Sequence, residues 1–366
     1  MQMTVSAQTT SVDSAGQNTG AIRLWLYLIC FLIFIMVIIG GVTRLTDSGL
    51  SITEWKPLLG AIPPLSEASW LQEFEKYRQI PEYQLQNKGM SLAEFQFIYW
   101  WEWGHRFFGR LIGLVYLLPF VWFAWRKAIP KPLYPKLMVL FALGGLQGFV
   151  GWWMVFSGLS ERVDVSQYRL ATHATLAFFI FAATFWIARG LRGPASVGRY
   201  QYVSGDVFLV SRLLLVLLFL QLFAGGLVAG LDAGLTYNTW PLMDGSFVPS
   251  GLLSDAPGGW LNLFENIQTV QFTHRMLAYL LLALAVFHLF QIGFRETGIA
   301  GTTAKIVVLV VSIQAVIGIT TLLLAVPLWA GVLHQGVAVI VLTVIVMHSQ
   351  NIRKAAAETA AARMAG

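Results

Sequence analysis

The feature that most constrains this chain is a series of eight apolar stretches, each long enough to cross a bilayer. About 20 helical residues at 1.5 Å each match a hydrocarbon core of roughly 30 Å. The stretches lie near 22–43, 98–124, 136–156, 170–189, 212–231, 270–292, 304–325 and 328–348. Hydrophobic residues make up 57% of the 366 and charged residues only 11%, less than half the roughly 25% of a typical soluble domain. A water-soluble core could not hide that much apolar surface, so lipid must be its outer solvent. The expected fold class is an all-α polytopic membrane protein with eight transmembrane helices.

Basic residues orient the spans. Arg126, Lys127, Lys131 and Lys136, then Arg189, Arg192, Arg199 and Arg212, then Arg295 and Lys305, and finally Arg353 and Lys354 fall on one side, while Leu213 through Thr273 contains no Lys or Arg. The positive-inside rule puts both termini in the cytoplasm and the long connections 44–97 and 232–269 outside. Lys56, Lys76, Arg78 and Lys88 lie in the first of these, which is too long to weigh heavily. The same topology accounts for the formal charge of +6 without nucleic acid as a partner. Cys30 is the single cysteine, so no disulfide, redox pair or thiolate metal cage is available. Residues 1–20 read as a disordered tail and not as a presequence or cleavable signal. Ser69 with Gln72, and Ser91 with Glu94, have capping-box spacing, which implies a small outer helix and an early start to the second span.

An internal repeat organises the rest. Gly40-Gly41-Val42 through Trp55 superimposes without a gap on Gly225-Gly226-Leu227 through Trp240. His105-Arg106 matches His274-Arg275, Gln147 with Gly151 matches Gln314 with Gly318, and His173 matches His334. Four spans per repeat keep the halves in the same orientation, which implies two tandem four-helix bundles related by a pseudo-twofold along the membrane normal. The expected units are a first bundle at 21–190, a cytoplasmic linker at 191–210, a second bundle at 211–350 and a cytoplasmic tail at 351–366. The recurring Gly-Gly and Asp-x-Gly elements read as close packing and turns, and Trp55 and Trp240 as interfacial anchors.

All six histidines fall in the spans, where an imidazole defaults to a bundle-facing functional role. His105 and His173 begin the second and fourth spans, and His274 and His334 the sixth and eighth, so each half presents a pair near the outer face. Facing imidazoles across a four-helix bundle suit axial ligation of a haem iron. Zinc fits less well, because no third or fourth ligand type accompanies the pairs. Arg106 and Arg275 could reach haem propionates through forked hydrogen bonds, or simply snorkel. Glu102 precedes His105 by three residues, where Gln271 precedes His274, so only the first half has an ionisable group beside its ligand. Its readings are proton transfer, stabilisation of developing positive charge, or an ion pair with Arg106. This asymmetry suggests that the first bundle does chemistry and the second holds a resident cofactor. His288 and His348, fourteen residues after His274 and His334, open a rival reading of two stacked bis-His haems in an electron-transfer cytochrome. Pro119 and Ile187 stand at the corresponding places in the first half, which favours interhelical hydrogen bonding for the inner pair.

Glu102-Trp-Gly-His105-Arg106, the run Gly144 to Val155, Arg169-Leu-Ala-Thr-His173, the run Tyr237 to Asp244, Gln271-Phe-Thr-His274-Arg275 and Leu333-His334-Gln335 together resemble the haem A synthase family. The similarity covers nearly the whole chain. It points to the proteobacterial and mitochondrial branch, without the outer-loop cysteine pairs of other members. The resemblance implies oxidation of the C8 methyl of haem O to a formyl group by successive hydroxylations, for cytochrome c oxidase cofactor biosynthesis. It implies haem b on His274 and His334 with Arg275, substrate haem on His105 and His173 with Arg106, and Glu102 as the catalytic carboxylate. It implies a bacterial inner-membrane location with the haem sites toward the periplasm, and leaves room for contact with haem O synthase, an electron donor of unread identity and homo-oligomers. A dihaem b-type cytochrome is the alternative. A repeat-built transporter fits less well, because its ion site is expected near mid-depth.

Overall fold

A computed structural model describes residues 6–56, 59–160, 162–192, 204–253, 258–293 and 298–365. Eight long helices account for the apolar stretches: α1 (Ser6–Leu45), α4 (Leu92–Trp125), α5 (Tyr134–Phe156), α6 (Gln167–Gly190), α7 (Gly205–Gly230), α9 (Ile267–Ile292), α10 (Ile299–Leu323) and α11 (Leu328–Ala365). All eight are long and apolar enough to cross a membrane, the first over Thr19–Leu45. Short helices α2 (Glu67–Tyr77) and α3 (Pro81–Leu85) lie in the first long connection and α8 (Asn262–Glu265) in the second. The described residues contain no strand, only an isolated bridge between Met243 and Ser246.

Helix ends depart from the sequence reading where local chemistry extends or shifts them. The tail expected to be disordered at 1–20 is helical from Ser6. A span that has already nucleated adds one hydrogen bond per further residue, and no proline interrupts this stretch. Residues 351–365 likewise continue α11, through alanines of high helix propensity. The linker expected at 191–210 is shortened because α7 starts at Gly205, capped by Ser204; residues 193–203 lie outside the described residues. Ser91 and Glu94 form the expected capping box and start α4 six residues before the apolar run. In α2 the box is one turn earlier than expected, with Ser66 as N-cap and Ser69, not Gln72, as its partner.

Helices α1, α4, α5 and α6 form one bundle and α7, α9, α10 and α11 the other. The pairings correspond under exchange of the halves: α1 packs on α4 and α6 as α7 packs on α9 and α11, and α6 meets α7 as α11 meets α1. This is consistent with the pseudo-twofold. Small residues let the backbones meet at the seam, since a side chain on Gly226 or Gly230 of α7 would collide with Ala171 or Gln167 of α6. One continuous apolar core, including Leu26, Leu137, Leu214 and Leu342, runs through both bundles.

At the loop end, Asp47 and Asp232 follow α1 and α7 in the left-handed conformation at φ 48° and 49°, which short polar side chains tolerate. Arg44 joins the halves there, pairing with Asp47 at 3.0 Å and Asp232 at 2.7 Å. Above the first bundle, α2 and α3 pack Phe74, Tyr77 and Tyr83 against Phe95, Ile98 and Tyr99 of α4.

Candidate haem sites

Each of the four repeat-related histidines lies against a glycine on a neighbouring helix. A Cβ at Gly40 of α1 would lie 3.3 Å from the His105 ring, and one at Gly225 of α7 would lie 3.2 Å from that of His274. At Gly151 of α5 and Gly318 of α10 it would meet His173 and His334 at 2.9 and 2.8 Å. Any larger residue would displace the imidazoles, which gives these recurrent glycines a packing role. Gln147 donates to the His173 carbonyl at 3.1 Å and Gln314 to that of His334 at 2.9 Å. The sequence comparison showed both glutamines recurring four residues before a glycine; their contact with histidine required the structure. Gln221 lies 3.2 Å from His274 Nδ1, and Met36 occupies the corresponding place in the first half, so no repeat pattern revealed it.

The His105 and His173 rings face each other with centroids 6.5 Å apart. With metal–imidazole bonds of about 2 Å, an iron between two rings needs centroids roughly 6 Å apart. All four of these rings are half-buried, as access to a cleft between helices requires. The side-chain oxygens of Gln147, Gln221 and Gln314 and the Nε of Arg275 are buried without a hydrogen-bond partner among the described residues. Of these, the Arg275 N–H is a donor left for an acidic group such as a propionate. The donor set and its glycine cradles therefore fit bis-histidine haem ligation in each half.

His288 and His348 differ. They are 1% and 0% exposed, their Nε2 atoms lie 2.9 Å apart, and His348 Nδ1 is 2.7 Å from Thr303 Oγ1. Two nitrogens at hydrogen-bond distance leave no room for a metal between them, which needs about 4 Å. The pair ties α9, α10 and α11 together, as interhelical hydrogen bonding predicts.

Glu102 and Gln271 are each 3% exposed. Glu102 accepts from Ser51 Oγ and Ile52 N, both at 2.7 Å, and pairs with Arg106 at 2.6 Å. Arg106 also donates to the Ile52 and Glu54 carbonyls. Arg275 makes the repeat-equivalent bonds to Tyr237 O, Thr239 O and Gln271. Both arginines thus anchor the long loops of their halves, a role the sequence did not reveal; any propionate contact uses the N–H groups left over.

The cytochrome oxidase assembly protein family (COX15-CtaA) matches residues 23–346. The chain is 50% identical over 345 residues to the haem A synthase of Bradyrhizobium diazoefficiens, covering 94% of each chain. It is 52% identical over 344 residues to that of a Chelativorans species, again with 94% of each chain covered. With the haem A synthase of Parvibaculum lavamentivorans it shares 49% identity over 352 residues, covering 96% of this chain and all of the other. Half its residues identical to these relatives across nearly its whole length, and its histidine pairs built alike in both bundles, the chain belongs to the haem A synthase family.

Proposed function

We propose that this protein oxidises haem O to haem A in the bacterial inner membrane. The observation that carries this reading is the contrast between Glu102 and Gln271 beside otherwise equivalent histidines. In this assignment His274 and His334 hold haem b, with Arg275 contributing its unspent Nε–H to a propionate. Haem b, when bound, supplies one-electron transfer. His105 and His173 hold the substrate haem, whose C8 methyl is hydroxylated twice. Each round consumes O2 with two electrons from the external donor and two protons and releases water, and the geminal diol then loses water to leave the formyl group. Glu102, one turn from His105, moves a proton or stabilises positive charge developing at the methyl carbon. Arg106 keeps that carboxylate in place and is assigned a substrate propionate through its remaining N–H groups. Both termini are assigned to the cytoplasm and the loop end to the periplasm, where haem acids stay near water. Haem O synthase, an electron donor, surrounding lipid and a second copy are the partners this reading admits.

The test is expression beside a haem O source, followed by pigment extraction and chromatography. Wild type should accumulate haem A, whereas Glu102→Gln should retain haem b and convert haem O about 10²–10³-fold more slowly, the scale expected for one lost electrostatic contact. Ser51→Ala removes one anchor of Glu102 but keeps its charge, and should preserve most conversion. Near-normal haem A from Glu102→Gln would remove the carboxylate from the chemistry, leaving its ion pair with Arg106 as its role.

A further inference from the structure

A cavity of about 240 Å³ opens where α5 passes into α6, lined by Phe156, Ser157, Ser160, Arg162, Ser166 and Arg169. Among the described residues, neither arginine has a carboxylate partner and no carboxylate lines the cavity. Arg162 donates to Gln167 Oε1 at 3.2 Å, and Arg169 donates to Trp153 O at 2.6 Å with its guanidinium 4.5 Å above the Trp153 ring. Ser166, only 9% exposed, is the N-cap residue of α6 but makes no side-chain cap bond. Two guanidiniums and unspent donors at a helix N-terminus form an anion-binding environment.

Its place is informative. Arg169 lies four residues before His173, on the same face of α6 and about 6 Å further toward the loop end. The second half has no counterpart: Ala330 stands where Arg169 does, and α10 and α11 are joined by only the short turn 324–327. Arg106, the other cation near the first pair, already spends hydrogen bonds on Glu102, Ile52 and Glu54.

We infer that this cavity receives a propionate carboxylate of the substrate haem, with Arg169 and Arg162 as its binding residues. The inference rests on the reading that the first bundle takes haem O. It gives the substrate bundle a recognition element that the cofactor bundle lacks, since the propionates are the ionised groups on the haem edge.

The experiment compares binding of haem O and its dimethyl ester to purified protein, followed by absorbance, with haem b absorbance reporting an intact second bundle. Wild type should prefer haem O by about tenfold, as charge-assisted bonds predict. Arg169→Ala and Arg162→Ala should lose most of that preference while binding the ester as wild type does. Equal weakening of both probes, or an unchanged preference in both variants, would overturn the inference. So would a thermal stabilisation by phosphatidylglycerol over phosphatidylcholine nanodiscs that both variants abolish, because the cavity would then hold a lipid phosphate. Wild type binding neither probe would overturn the functional reading itself, and this inference with it.

Discussion

Glu102 and Gln271 occupy the same place in the two halves, yet their loops meet them with opposite polarity. The first loop offers donors, Ser51 Oγ–H and Ile52 N–H, to a carboxylate. The second offers acceptors, Ala233 O and Thr236 O, to the amide nitrogen of Gln271, both at 2.6 Å. Side chain and loop therefore changed together, as they must at a buried position where an unmatched donor or acceptor costs about 1–3 kcal/mol. The histidine cradles and the arginine anchors were kept. Beyond the Gln221 contact with His274 and the cavity of Arg162 and Arg169, what separates the bundles is the charge beside the histidine pair.

The most damaging test of this comparison acts on the histidines. His274→Ala or His334→Ala should remove haem b completely, because each deletes one of the two axial ligands proposed for it. His105→Ala and His173→Ala should retain it and lose haem A formation. Absorbance spectra of the purified variants decide this. Loss of haem b from His105→Ala as well would mean that the bundles are not specialised as proposed.

A smaller effect is expected at the inner pair. His348→Leu leaves His288 without its closest partner and should destabilise the protein by about 1–3 kcal/mol. Replacing both by leucine should cost less than the sum, because neither then strands the other. Thermal unfolding measures this, and the haem b spectrum should stay unchanged in both variants. Loss of half the haem with either substitution would restore the stacked cytochrome.

Much of this arrangement was legible in the sequence, for physical reasons. Bilayer thickness fixes span length, so all eight helices could be read from hydropathy, and duplication exposed the four candidate histidines as recurrent pairs. Helix ends were less legible: the Ser66 cap of α2 and the continuation of α1 to Ser6 depend on hydrogen bonds that composition does not encode. The loop anchoring by Arg106 and Arg275 was hidden because its acceptors are backbone carbonyls some 36 to 54 residues away. Glu82 was missed for a related reason. In sequence it is one acid among many in a polar connection, and only the packing of α3 shows it to be 3% exposed.

That residue supplies the smallest effect and the last contrast between the halves. In the second long loop the buried side-chain pair beside the helix start is neutral, Thr269 donating to the amide oxygen of Asn262 at 2.5 Å. The first buries a titratable carboxyl whose Oε2 has no partner among the described residues. Burial, reinforced by the charges of Glu102, Asp47 and Asp164, raises the Glu82 pKa from its ordinary 4.5 to about 8. The native cap therefore favours the neutral acid. Its contribution to cap stability is fully present below about pH 4.5 and declines as the unfolded loop gains the ability to ionise. The decline ends once pH has passed about 8, where native Glu82 ionises too. Glu82→Gln keeps a neutral side chain at every pH and should flatten this dependence. Hydrogen exchange across residues 67–91, corrected for intrinsic rates, should match wild type near pH 4 and show greater protection in the variant at pH 9. The loop spanning 258–266 should show no such divergence. Equal protection at both pH values would mean that Glu82 is already ionised in the folded cap, and that the first loop is closed without a group that changes charge on folding.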